Sequence, residues 1–167
     1  MGKTEENLAA AFNGESQANR KYLAFAKKAE QDGYKQIAKL FRAIAEAETV
    51  HAHTHLQVMG KIMSTKENLK AAIEGEGFEY LKMYPKFLEQ AKEEDNKAAV
   101  RSFEYARQVE KIHYGLYEKA LQELEARRMP AEKDYYVCQV CGNTVENEAP
   151  DRCPICGAHK EKFVKIK

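Results

Sequence analysis

The sequence predicts an all-α four-helix bundle followed by a small metal module built mostly of strand and loop. Three observations predict it. Four stretches carry apolar residues at steps of three and four, the repeat of a helix that buries one face. Two of those stretches contain glutamate followed three residues later by histidine, at Glu48 and His51 and again at Glu110 and His113. All four cysteines fall between Cys138 and Cys156, so none staples the long N-terminal part. The division is expected as residues 1–130 and 131–167.

The first helix is expected over residues 4–31, where Leu8, Phe12, Glu15, Asn19, Tyr22, Ala26 and Ala29 share a stripe, and Gly33 ends it. The second is expected over 35–61, with Ile37, Leu40, Phe41, Ile44, Glu48, His51, His55 and Met59 near one face. Ser64 to Glu67 reads as the cap of a short helix ending near Gly75, inside a connection long enough to cross the end of a bundle. The third long helix is expected from Glu76 to Glu94, and Pro85 inside it should produce a kink unless the local geometry adapts. Asp95 and Asn96 make a turn. The fourth helix runs from Lys97 to about Arg127, and Met129-Pro130 closes the helical part.

Depth along the two hairpins aligns the acidic residues. Glu15 lies 18 residues before Gly33 and Glu48 lies 15 after it. Around Asp95 the values are 19 and 16 before for Glu76 and Glu79, and 15 and 18 after for Glu110 and His113. At about 1.5 Å per residue, all sit roughly 25 Å from their turns. The hairpins also repeat each other weakly, each a carboxylate helix followed by a Glu-x-x-His helix.

Carboxylates on apolar stripes cost several kcal/mol unless paired or bound to metal. The same faces offer no lysine or arginine to match five of them, so cations must compensate. Two ferrous ions would bring four positive charges against five carboxylates. A donor set of oxygens and two imidazoles suits iron or manganese better than structural zinc. One glutamate from each of two helices, plus Glu-x-x-His from each of the others, is the arrangement of ferritin-like di-iron bundles. One such glutamate alone would be read as a solvated face; five at one depth with two histidines reverse that. His53 is expected at the surface, and His55 is a candidate hydrogen-bond partner. For Tyr22, Tyr84 and Tyr117, a role at the site and a role in the core weigh about equally.

Cys138-Gln139-Val140-Cys141-Gly142 and Cys153-Pro154-Ile155-Cys156-Gly157 are two knuckles with eleven residues between Cys141 and Cys153. Paired knuckles signal a tetrahedral four-thiolate site, and a module this short needs its metal to fold. Zinc would be structural and iron a one-electron centre. Spacing does not choose between them; were the module isolated, zinc would be the expectation. His159 reads as a surface residue.

Composition narrows the classes. A net charge of +1 and a pI of 7.7 give no basic surplus for nucleic acid. No apolar run approaches a membrane span and the N-terminus lacks a signal-peptide core, so a soluble, cytoplasmic protein is expected.

The whole chain resembles the rubrerythrins, in which a ferritin-like di-iron bundle precedes a rubredoxin-type iron module. The resemblance rests on Gly14-Glu15-Ser16, Ala47 to Ala52, Gly75 to Glu79, Met83-Tyr84-Pro85, Glu110 to His113 and both knuckles. It implies that Glu15, Glu48, Glu76, Glu79, Glu110 and His113 ligate two irons. It makes Glu79 and His51 the donors exchanged when the redox state changes, and Tyr22 and Tyr84 hydrogen-bond partners of ligating carboxylates. Cys138, Cys141, Cys153 and Cys156 would hold one further iron. The implied activity is reduction of hydrogen peroxide to water, with electrons from rubredoxin or an NAD(P)H-dependent reductase. A homodimer is implied, with or without domain-swapped helices, the module of one subunit facing the di-iron site of the other. The rivals are ferroxidase or iron-handling chemistry, oxygen reduction, and a zinc-stabilised binding protein.

Overall fold

The computed structural model describes residues 2–126 and 132–167. The chain divides into two compact units, Met1–Met63 and Ser64–Lys167.

The first unit is a helical hairpin of α1 (Lys3–Gln31) and α2 (Lys35–Val58). Gly33 turns the chain at φ +86°, a conformation that glycine adopts without steric cost. The seam between the helices is built of small residues, with Ala26, Ala29, Ala38, Ala45 and Ala52 buried. Asn19 is buried there too, and its Nδ2 donates to the Ala45 carbonyl at 2.7 Å and to Thr49 Oγ1 at 2.8 Å. These bonds tie α1 to α2 in one register.

The second unit opens with a surprise for the sequence reading. The short helix and the third long helix are continuous: α3 (Thr65–Phe78) passes through Gly75 into a π-helical turn over Glu79–Met83, and α4 (Tyr84–Glu93) follows. The connection that was expected to cross a bundle end is therefore only residues 59–64. Ser64 caps α3 reciprocally with Glu67, as the cap signal indicated. Neither glycine breaks the helix, because each costs only about 1 kcal/mol. Gly77 also has a packing role: a Cβ there would stand 3.1 Å from the Tyr114 ring. The wider i→i+5 turn just before Pro85 accommodates the proline, which lacks an N–H and crowds the preceding turn.

Asp95 turns the chain at φ +50°, and the Asn96 side chain caps α5 (Lys97–Glu125) by accepting from the Ala99 N–H at 3.1 Å. α5 pairs with α3 and α4, and Lys66 at the start of α3 meets Glu125 at the end of α5 at 2.8 Å. The helix end near Arg127, the Met129-Pro130 stop and the proposed domain boundary lie outside the described residues.

The C-terminal module is a three-stranded antiparallel sheet, ordered β2 (Thr144–Glu146), β1 (Tyr135–Cys138), β3 (Phe163–Lys165). Its core is Cys138, Ala149, Cys153 and Phe163, so two of the thiols are themselves core residues. Among the described residues, no helix is long and apolar enough to cross a membrane.

Candidate metal sites

Each hairpin carries a cluster of three donors. In the first unit, ligand atoms of Glu15, Glu48 and His51 lie within 4.8 Å of one another. The i, i+3 spacing puts His51 Nδ1 3.0 Å from Glu48 Oε2. In the second unit, Glu76, Glu110 and His113 form the equivalent cluster. His113 Nδ1 is 2.8 Å from Glu110 Oε2 and 3.9 Å from Glu76 Oε2.

The second cluster is the more strained electrostatically. Burial, the hydrogen bond its protonated form donates to Glu110 and the Glu110 charge push the Glu76 carboxyl up to about 7. Burial and the Glu110 charge also raise Glu79. Glu110 is lowered despite its burial, because His113 and Glu76 hydrogen-bond its carboxylate. His113 is raised, chiefly by its bond to Glu110. Two carboxylates and an imidazole thus share protons in a place built for positive charge, which is what a divalent cation supplies. Glu79 stands in the π turn, outside the 4.8 Å cluster.

The two hairpins repeat beyond their donors. Tyr22, Phe25 and Phe41 form one aromatic trio, and Tyr84, Phe87 and Phe103 form another, with ring centroids 5.5–6.3 Å apart. Phe41 lies seven residues before Glu48, as Phe103 does before Glu110. Tyr22 follows Glu15 by seven residues but Tyr84 follows Glu76 by eight, and the extra residue is absorbed by the π turn. The sequence reading left the tyrosines evenly balanced; both head an aromatic trio. Burial, then Glu79, Glu110 and Glu76, raise the Tyr84 phenol, which therefore stays protonated and able to donate. Tyr117 lines a cavity of about 480 Å³ together with Glu76, His113, Tyr135 and Thr144. His53 and His159 are exposed, and His55 is partly buried.

The histidines differ in their second nitrogens. The His51 side chain is 57% exposed, whereas that of His113 is 26% exposed. His113 Nε2 lies 3.0 Å from Thr144 Oγ1 of the module. Lys119 on α5 donates to Glu146 at 2.8 Å, and Gly142 approaches the buried Val109 of α5. The sequence reading missed Thr144, which looks like an ordinary turn residue after a knuckle.

In the module, the thiols of Cys138, Cys141, Cys153 and Cys156 converge. Sγ atoms of Cys138 and Cys156 are 3.7 Å apart, and those of Cys141 and Cys153 3.6 Å. A tetrahedron with metal–sulfur bonds of about 2.3 Å has edges of about 3.8 Å, so the four sulfurs fit one metal. Gly142 and Gly157 adopt φ +84° and +74°, and their N–H groups donate to the Cys138 and Cys153 carbonyls at 2.8 and 2.9 Å. This is why each knuckle ends in glycine. Backbone N–H groups of Cys156 and Ile155 overcome burial to bring the Cys153 thiol down to about 7. Burial raises Cys141 and Cys156, whose protons the metal must displace.

Residues 6–121 match the family model described as Rubrerythrin, and residues 136–164 the one described as Rubrerythrin, rubredoxin-like domain. The chain belongs to the rubrerythrin family. It is 37% identical to rubrerythrin-2 of Clostridium acetobutylicum over 96% of this chain and 95% of that one. It is 36% identical to nigerythrin of Nitratidesulfovibrio vulgaris over 98% of this chain and 86% of that one. A solved structure, the fully reduced, all-ferrous state of nigerythrin, matches with a TM-score of 0.59 and 35% identity, covering 99% of this chain and 88% of that chain. The rubrerythrin fold class, ferritin-like helices followed by a rubredoxin-like module, agrees with the expectation from sequence. The protein is a di-iron oxidoreductase with a rubredoxin-like four-cysteine iron site, as the resemblance implied where spacing alone left zinc and iron open.

Proposed function

We propose that this protein is a peroxidase, reducing hydrogen peroxide with two electrons and two protons to two molecules of water. The observation that carries the proposal is the four-thiolate module beside His113 in the same compact unit as the Glu76 cluster. A storage protein needs no one-electron centre next to its carboxylates. A catalyst that must be re-reduced after every turnover does.

Glu15, Glu48, Glu76, Glu79, Glu110 and His113 are assigned to the iron pair, with His51 as the donor that alternates with Glu79. The structure supports that asymmetry, since the His113 ring is held on both sides while the His51 ring is more than half exposed. Once bound, the iron pair supplies the two electrons. Tyr84 and Tyr22 are assigned as hydrogen-bond partners of ligating carboxylates, and the Glu79, Glu110 and Glu76 charges felt by the Tyr84 phenol support its part in this. The 480 Å³ cavity gives a small oxidant access to Glu76 and His113. Cys138, Cys141, Cys153 and Cys156 hold the relay iron. Rubredoxin or an NAD(P)H-dependent reductase is the assigned donor, the assembly a homodimer with or without exchanged helices, and the compartment the cytoplasm.

Stopped-flow mixing of the anaerobically reduced protein with hydrogen peroxide, and separately with oxygen, tests the reading through the visible band of the four-cysteine iron. Fast oxidation by peroxide and slow oxidation by oxygen is the expected result. Fast reaction with oxygen alone would move the assignment to oxygen reduction or ferroxidase chemistry.

A further inference from the structure

We propose that the Asn143 side chain sets the poise of the four-cysteine iron, its amide N–H donating to the Cys153 sulfur and raising the reduction potential; this goes beyond the peroxidase reading and rests only on the iron held by the four thiols. Asn143 Nδ2 lies 3.7 Å from Cys153 Sγ, within reach of an N–H···S bond. Asn143 is 1% exposed, and with Cys138 it is among the largest side chains that the fold buries completely. Its other amide atom, Oδ1, is buried with no partner among the described residues. Charge fixes which end of the amide faces the sulfur, because a thiolate repels the oxygen and accepts from the nitrogen.

The two knuckles separate this bond from the backbone donors around it. Asn143 and Ala158 follow the knuckle glycines at equivalent positions. The Asn143 carbonyl accepts from the Cys138 N–H at 2.9 Å, and the Ala158 carbonyl from the Cys153 N–H at 2.7 Å. The Asn143 N–H donates to the Cys141 sulfur, as the Ala158 N–H does to Cys156. The backbone frames therefore repeat. Ala158 has no side-chain donor, whereas Asn143 reaches across to the opposite knuckle. Cys153 already accepts from the Cys156 and Ile155 N–H groups, so the asparagine adds a further donor to one buried sulfur. A leucine of nearly the same shape would fill this space without stranding an acceptor. An amide buried with its oxygen unpaired lowers stability, so packing does not account for Asn143; the bond to sulfur does.

Four thiolates around ferric iron carry a single net negative charge, and an electron from the donor makes the iron ferrous and adds a second. No bond breaks and no proton moves. The added charge spreads onto the sulfurs, so a donated hydrogen bond is stronger in the ferrous state and favours reduction. Cys153 is 2% exposed, so water does not compete for its sulfur and the low local dielectric enlarges the effect. Asn143 touches no substrate and acts through Cys153, as a positioning residue of the relay.

The test compares the midpoint potential of the four-cysteine iron in wild type and Asn143→Leu, by anaerobic titration of the visible band in the full-length, iron-loaded protein. Leu should shift the equilibrium about tenfold toward the ferric state, which is about 59 mV for one electron. An unchanged or higher midpoint in Leu overturns the proposal. A second measurement needs no variant and covers a Leu protein that does not fold. In nitrogen-labelled wild type with an NMR-active cadmium isotope in the four-thiolate site, scalar coupling should connect the metal to an Asn143 side-chain amide proton. The Cys156 and Ile155 N–H protons serve as the internal control. Coupling through those two groups with none through Asn143 overturns the proposal. Neither readout involves peroxide, so failure of the peroxidase reading leaves both intact.

Discussion

Metal-free and iron-loaded protein should respond to pH in opposite directions. In the metal-free fold the Glu76 carboxyl is raised from 4.5 to about 7, so its contribution to stability is whole below about pH 4.5 and lost as pH rises through about 7. Glu79 and His113 are raised as well and act with the same sign, His113 being stabilising below 6.5 and less so above it. Glu110, lowered, contributes above 4.5 and changes little near neutrality. The metal-free protein therefore loses stability as pH rises from about 4.5 through about 7. Iron must displace the protons on Glu76 and His113, and each displaced proton raises affinity tenfold per pH unit, or about 1.4 kcal/mol. Ferrous affinity at the helical site should climb by about tenfold to a hundredfold per unit up to about pH 7, then flatten. Anaerobic iron titrations and thermal unfolding at several pH values measure both trends, and Glu76→Gln should lower the slope by one proton. An affinity that is flat across this window, or metal-free protein that gains stability with pH, would refute the shared-proton account.

Cys156→Ser should spare the reaction of prereduced helical iron with peroxide yet abolish steady-state turnover, which comparing single-turnover and steady-state rates will show. Glu79→Ala should keep two irons per chain by metal analysis but slow redox cycling, if it deletes one of the two donors proposed to exchange. At the hairpin seam, Asn19→Asp replaces two donated hydrogen bonds, worth about 1 kcal/mol each, with a buried charge, and should lower stability by several kcal/mol in chemical unfolding. Asn19→Leu should be far milder, since it also removes a buried Oδ1 that has no partner.

Much of this was legible in the order of residues. The long helices follow from apolar periodicity, and the donors from Glu-x-x-His, because both depend on spacing within one element. The knuckles predicted their own glycines. Two things were not legible. Gly75 and Pro85 read as punctuation, yet the helix runs through them: a wider turn precedes Pro85, and Gly77 within the same helix makes room for Tyr114. Thr144 is 31 residues from His113. Nothing local marks it, because its partner is set by how the module seats on α5.

The π turn also says something about how two near-copies of a hairpin come to differ. In a plain α-helix, one added residue rotates everything beyond it by about 100°. Tyr84 and Phe87 would then leave the face they share with Phe103. Spread over Glu79–Met83 as a wider coil, the added residue leaves the aromatic trio in phase with its twin around Tyr22. Where the first hairpin has Ala18, three residues after its glutamate, the second has Glu79. The bulge is thus a hidden insertion that lets one hairpin carry an extra acid while its aromatic trio stays in phase with that of the other.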